Sequence, residues 1–113
     1  MVFYPIIAQE NEKQLPVRLE GIGREARQSP VHREKDGFPY HQILLVTHGA
    51  GRLQMGGKEF IVKAGMCFFL EKRCPHSYEM TEEPFTTRWI CYDGTGVDPL
   101  HAFFGLAPFW VGQ

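Results

Sequence analysis

Gly65-Met66-Cys67-Phe68-Phe69-Leu70, with Pro75-His76 arriving after a short loop, is the stretch that decides the fold. Ala64-Gly65 supplies a turn, an apolar run from Met66 to Leu70 follows, and Glu71 to Pro75 interrupts it. A short apolar run bounded by turn residues reads as a buried strand. The same pattern extends in both directions. His41 to Thr47 (HQILLVT) is dense in branched residues and stops at Gly49-Ala50-Gly51. Arg52 to Met55 alternates polar with apolar, Gly56-Gly57 fits a tight hairpin turn, and Lys58 to Lys63 returns antiparallel. Downstream, His76 to Met80 and Thr86 to Tyr92 read as strands separated by the turn residues Glu82-Glu83-Pro84. Short strands at regular spacing with glycine turns predict an all-β sandwich or barrel of the jelly-roll type.

The flanks are less regular. Residues 1–15 read as an N-terminal arm, and residues 16–97 as the barrel. Within the barrel, Val17 to Glu20 fits a first short strand. Gly21 to Asp36 reads mostly as loop, with one strand around Ser29 to Arg33. Residues 98–113 read as the start of a helical or linker region, cut short. Asp98-Pro99 is a helix start with a capping carboxylate, and Gly105 is a stop. Phe103, Phe104, Leu106, Phe109, Trp110 and Val111 crowd this tail. So much apolar surface needs a cover, so the expectation is a larger parent protein. The fragment alone is expected to self-associate or to hold its tail against the barrel.

At 113 residues the chain supports one small domain. A hydrophobic share of 43% with 22% charged residues fits a folded globular protein and excludes wholesale disorder. A net charge of −1 argues against this chain gripping a phosphate backbone by itself. Three cysteines without a CxxC pair argue for a reducing compartment. Met1 to Ala8 is apolar but short, lacks a basic lead and contains Pro5, so it reads as neither a signal peptide nor a membrane span. The expected location is the cytoplasm, with no membrane partner.

Candidate site residues follow from strand alternation. After Pro75, the residues His76, Tyr78 and Met80 share one face, and Trp89 shares its face with Thr87 and Cys91. Each aromatic could line a cavity or simply fill the core. Arg33 offers five donors to a carboxylate or hydroxyl cluster, or sits in a solvated mixed-charge loop. Gln42 could point its amide inward or bond across strands. His41 and His48 read as surface or packing residues.

Phe38-Pro39-Tyr40-His41-Gln42, Gly49-Ala50-Gly51, Gly65 to Leu70, Pro75-His76-Ser77-Tyr78 and Trp89 to Gly94 together resemble the N-terminal effector-binding domain of AraC-type transcription regulators over roughly residues 30–106. The resemblance implies a cupin-like double-stranded β-helix (a jelly roll) with a short C-terminal helix. It also implies a small-molecule effector, often a sugar, inside the barrel, dimerisation, and DNA contact only through a C-terminal helix-turn-helix domain absent from this chain. Arg33, Tyr78 and Trp89 match pocket positions of that family. Against the cupin metal signature, His76 matches one ligand, Gln42 takes the glutamate slot, and Lys35 to Phe38 fall where the earlier histidines belong. An amide and a phenyl ring cannot replace those ligands, and one imidazole is too few. The expectation is therefore a ligand site of Arg33, Gln42, His76, Tyr78 and Trp89 with no metal, no cofactor and no catalytic residue. The rival reading is a metal-independent cupin enzyme, of the sugar epimerase or isomerase type, using His76 and Tyr78 as acid and base. It needs a carboxylate to orient His76, and none is evident at Gln42, Leu44 or Trp89.

Overall fold

The computed structural model describes residues 2–5, 16–27, 31–105 and 109–112. In chain order it contains β1 (Val2–Pro5), β2 (Arg18–Arg27), β3 (Val31–Glu34), β4 (His41–Met55), β5 (Lys58–Lys63), β6 (Cys67–Leu70), β7 (His76–Asp93), α1 (Val97–Phe104) and β8 (Phe109–Gly112). Every strand pairing is antiparallel.

Two long strands form the spine. β4 and β7 run for 15 and 18 residues and pair from His41↔Tyr92 to Met55↔His76. The sequence breaks expected at Gly49-Ala50-Gly51 and Glu82-Glu83-Pro84 are bends in these strands, with register shifts between Val46 and Gly51. Gly49 sits at a φ of 73°, and a side chain there would run into the backbone of Glu82 and Pro84. The turn chemistry was read correctly, but the strands continue through it because each remains paired with the other. Past the bend the neighbours change. β2 and β6 flank the half holding residues 41–48 and 85–93, while β3 and β5 flank the half holding 50–55 and 76–82. The outcome is two antiparallel layers sharing their bent central strands.

Alternation then sorts the side chains. On β4, Gln42, Leu44 and Val46 turn inward, whereas Ile43 and Leu45 are exposed on the outer face. The inner core joins Leu44, Val46, Leu53, Met55, Val62, Phe68, Leu70, Phe85 and Cys91 with the aromatic rings of Tyr78 and Trp89. A smaller outer cluster of Phe69, Tyr92 and Val97 lies where α1 covers the sheet.

Three flanking segments differ from the sequence reading. β2 extends to Arg27 through a stretch read as loop, because it pairs along β7 from Asp93 to Phe85. α1 begins at Val97, with Gly96 at its N-cap and no side-chain cap, so Asp98 sits in the first turn instead of capping it. There its charge still suits the positive end of the helix dipole. Gly105, at a φ of 69°, stops the helix as expected. β8 then pairs with β6, from Leu70↔Phe109 to Cys67↔Gly112, extending the sheet. Phe103 and Phe104 remain exposed, whereas Leu106 and the side chains of Phe109, Trp110 and Val111 lie outside what is described.

Candidate functional site

Between the layers lies a cavity of about 40 Å³. β4 supplies Gln42 and Leu44 to its wall, β7 supplies His76, Tyr78 and Trp89, and the loop before β4 supplies Phe38. Glu25 of β2 and Glu34 of β3 complete it. Four of the five residues singled out from sequence thus meet in one place. Arg33 pairs with Ser77 across β3 and β7, and its side chain lies outside the described residues.

Each wall residue is held in position. His76 has Nδ1 3.1 Å from the carbonyl oxygen of Cys74. A carbonyl only accepts, so Nδ1 carries a proton and is the donor. The Tyr78 ring lies nearly parallel to His76 at 6.2 Å and is flanked edge-on by Phe68 and Phe85. Gln42 donates its amide N–H to Cys91 Sγ at 3.7 Å. Burial pushes the Cys91 thiol up to about 11 against the opposing effect of that hydrogen bond, so it stays protonated near neutral pH and is no nucleophile. Trp89 is 7% exposed, and its indole lies against Gly23, its partner on β2. A Cβ on Gly23 would fall 2.5 Å from the indole carbons. The Trp89 Nε1 proton is buried and has no hydrogen-bond partner.

A cleft of about 780 Å³ lies at the end of the barrel and shares Glu34 and His76 with the inner cavity. The β4–β5 hairpin (Gln54 to Glu59) lines it together with Lys35, Pro75 and Ser77. The inner space alone holds only a water-sized group or two. Drug-sized ligands need several hundred Å³, which the cleft offers.

Sequence reasoning missed Glu25, Glu34, Phe38 and Leu44 as wall residues. Glu34 stands directly opposite His76 in the β3–β7 register. No local signal could reveal that pairing, because it depends on how β3 docks. Phe38 was read only as occupying a lost ligand slot.

The donor set does not fit an interior metal. Among the described residues, the one group of three His, Cys, Asp or Glu donors within 4.8 Å of one another is His41, Asp98 and His101, which lies under α1 on the outer side. Glu25, Glu34 and His76 do not converge in that way. In the outer group, the Lys72 backbone N–H donates to His41 Nδ1 at 3.1 Å. The neutral His41 ring therefore carries its proton on Nε2, which opposes metal ligation there. Burial lowers the affinity of His41 for a further proton, helped by His101, and burial also lowers that of His101. His101 Nε2 meets the Tyr92 hydroxyl at 2.7 Å, and burial raises the Tyr92 hydroxyl to about 12. His41, read from sequence as surface or packing, is a buried packing residue; His48 is exposed.

The family model described as the AraC-like ligand binding domain matches residues 19–108. The chain belongs to the AraC-like ligand-binding family. No curated protein sequence matches it. Among solved structures, YhaK from Escherichia coli superposes with a TM-score of 0.65 at 11% identity, over 81% of this chain and 44% of that one. Apo ToxT K231A from Vibrio cholerae gives 0.60 at 10% identity, over 89% and 43%. Bacillus subtilis oxalate decarboxylase, a protein with Mn(II) centres, gives 0.54 at 20% identity, over 75% and 28%. The chain thus spans less than half the length of each. At these identities the likeness concerns the fold, which is the cupin-like jelly roll expected for an AraC-like ligand-binding domain. Among the described residues, no helix of this AraC-like domain is long and apolar enough to cross a membrane.

Proposed function

We propose that this AraC-like domain is the effector sensor of a bacterial, cytoplasmic transcription regulator and no enzyme. Its effector is a small polar molecule of sugar-like character, held by Gln42, His76, Tyr78 and Trp89. The observation carrying this reading is Trp89 Nε1. A buried donor without an acceptor costs about 1–3 kcal/mol, and here that donor belongs to a residue lining a cavity with other polar side chains. A ligand oxygen that accepts from it recovers that energy only when bound. Effector binding then favours one arrangement of the arm or of a dimer interface. Through that differential affinity it biases DNA binding by a helix-turn-helix domain elsewhere in the parent protein.

The test is a titration of the chain, ¹⁵N-labelled at tryptophan, with sugars, polyols and amino sugars. At least one is expected to move the Trp89 indole resonance saturably and to raise the melting temperature. If every binder leaves Trp89 unmoved, the reading fails.

One observation favours the acid/base enzyme as a second reading. Glu34 supplies the carboxylate opposite His76 that such an enzyme needs. Chemical change in a bound ligand, followed by NMR of the ligand itself, would favour it over the sensor.

A further inference from the structure

The charged groups on the inner cavity wall are both acidic. Glu25 and Glu34 line it, and among the described residues no lysine or arginine does. Three aromatic side chains, Phe38, Tyr78 and Trp89, make up much of the remainder. Aromatic faces attract cations through the ring quadrupole, and a carboxylate forms its strongest hydrogen bonds with a charged donor.

Size divides the ligand in two. An ammonium head is comparable with a water molecule, whose share of liquid volume is about 30 Å³, and the inner cavity is about 40 Å³. The body must lie in the 780 Å³ cleft, which shares Glu34 and His76 with the inner cavity. Trp89 adds a further condition. Its Nε1 proton needs an acceptor, and an ammonium group has none to give. The amine must therefore carry a neighbouring oxygen.

We infer that the effector is a protonated amine with an adjacent hydroxyl or ether oxygen, the unit found in 2-amino sugars, seated between Glu25 and Glu34 against Phe38, Tyr78 and Trp89. This rests on the proposed sensing role of the cavity and names its ligand class. Both acidic side chains already make contacts within the protein. A carboxylate offers about four lone-pair positions, so it can accept from a ligand in addition. A neutral sugar could satisfy Trp89 but would gain nothing from the two carboxylates beyond ordinary hydrogen bonds.

The test compares D-glucosamine with D-glucose and N-acetyl-D-glucosamine, which keep the ring but lack the cation, and with ethanolamine, which keeps only the amino alcohol. Each is titrated against the ¹⁵N-labelled chain, reading the Trp89 indole resonance. D-glucosamine is expected to bind about tenfold or more tightly than either neutral sugar, the usual worth of a charged hydrogen bond. Ethanolamine is expected to compete with it. Glu25→Gln combined with Glu34→Gln should bring D-glucosamine to within about twofold of D-glucose. The ligand-side comparison needs no variant, so it stands even where the double substitution disturbs folding. Equal binding of D-glucose would overturn the amine assignment and leave the sensing role standing. D-glucosamine binding that ignores both substitutions would overturn it as well. If none of the four moves Trp89, the amine assignment falls, and the sensing role then depends on the wider titration.

Discussion

Glu34 faces His76 across the β3–β7 pair, and both side chains reach the wall of one cavity. Antiparallel partners share a face, so this follows from register alone. Nδ1 of His76 lies 3.1 Å from the Cys74 carbonyl oxygen, a contact that orients the ring beside Glu34. The pair can therefore hold a ligand donor between an imidazole nitrogen and a carboxylate, or move a proton between them and a substrate. The two roles differ in what a substitution costs. As a binding group, His76→Gln removes one net hydrogen bond, about 0.5–1.5 kcal/mol, or a loss of affinity of severalfold. The ligand is recovered chemically unchanged from both proteins. As an acid or base, the same change would lower turnover by about 10²–10⁴. Calorimetry alongside NMR of the recovered ligand decides, and the first outcome is expected.

The His41–His101 pair under α1 makes stability depend on pH. The rings meet edge-to-face at 4.7 Å. Burial is the main cause of both lowered proton affinities, with His101 adding to the effect on His41. Asp93, Asp98 and Glu71 oppose it, and Lys72 reinforces it at His41. Because the folded values lie below the ordinary 6.5, the unfolded chain binds more protons between those values. Stability therefore rises with pH in that window. It is fully present above about 6.5 and declines as pH falls below it toward the folded values. Urea midpoints measured from pH 7.5 down to pH 5 should fall steadily below 6.5. A flat profile would contradict the buried neutral pair.

Phe103 and Phe104 stand 83% and 63% exposed and contact each other edge-on at 5.1 Å. An exposed aromatic pair at the end of a short helix favours association with another surface. The chain is expected to self-associate in sedimentation at high concentration. Phe103→Ser with Phe104→Ser should reduce that association while changing unfolding free energy by no more than about 0.5 kcal/mol, as for other surface substitutions. A wild-type chain that sediments as a strict monomer would refute the expectation.

Much of the fold was legible because alternation and turn chemistry are local. The apolar run through Phe68, Phe69 and Leu70, the Gly56-Gly57 hairpin and the sequence from His76 to Tyr78 all carry their structure within a few residues. The same locality made β4 and β7 look interrupted, since glycine and proline mark a bend and a chain reversal alike. Gln42, His76, Tyr78 and Trp89 could be placed in one cavity because alternation combined with the family resemblance. Glu25 could not. It lies in the part of β2 from Gly21 to Arg27, whose glycines and charges read as loop, and it faces inward only because that segment docks along β7. His41 was hidden for a related reason: α1 covers it, and no strand periodicity foretells where a later helix will pack.

Trp89 and Gly23 offer the most discriminating variants, because the indole has one unsatisfied atom and one tight neighbour. Trp89→Phe keeps an aromatic ring against Gly23 and removes the orphan N–H. It loses some packing but also relieves a buried unpaired donor, effects of similar size and opposite sign. Its stability should therefore fall far less than that of Trp89→Ala, for which about 3–5 kcal/mol is usual. Effector affinity should nonetheless drop by about 0.5–1.5 kcal/mol, the worth of the lost hydrogen bond. A tryptophan that merely fills the core predicts the reverse, with affinity in the folded fraction unchanged. Gly23→Ala tests the contact from the other side. Its Cβ would lie 2.5 Å from indole carbons, so about 1–3 kcal/mol of overpacking is expected. In the Trp89→Ala background that conflict disappears, and the alanine should be neutral or slightly stabilising because it restricts the unfolded chain. Denaturation of the four proteins in this cycle should thus give a large coupling energy. Strict additivity would mean that the indole does not rest on Gly23.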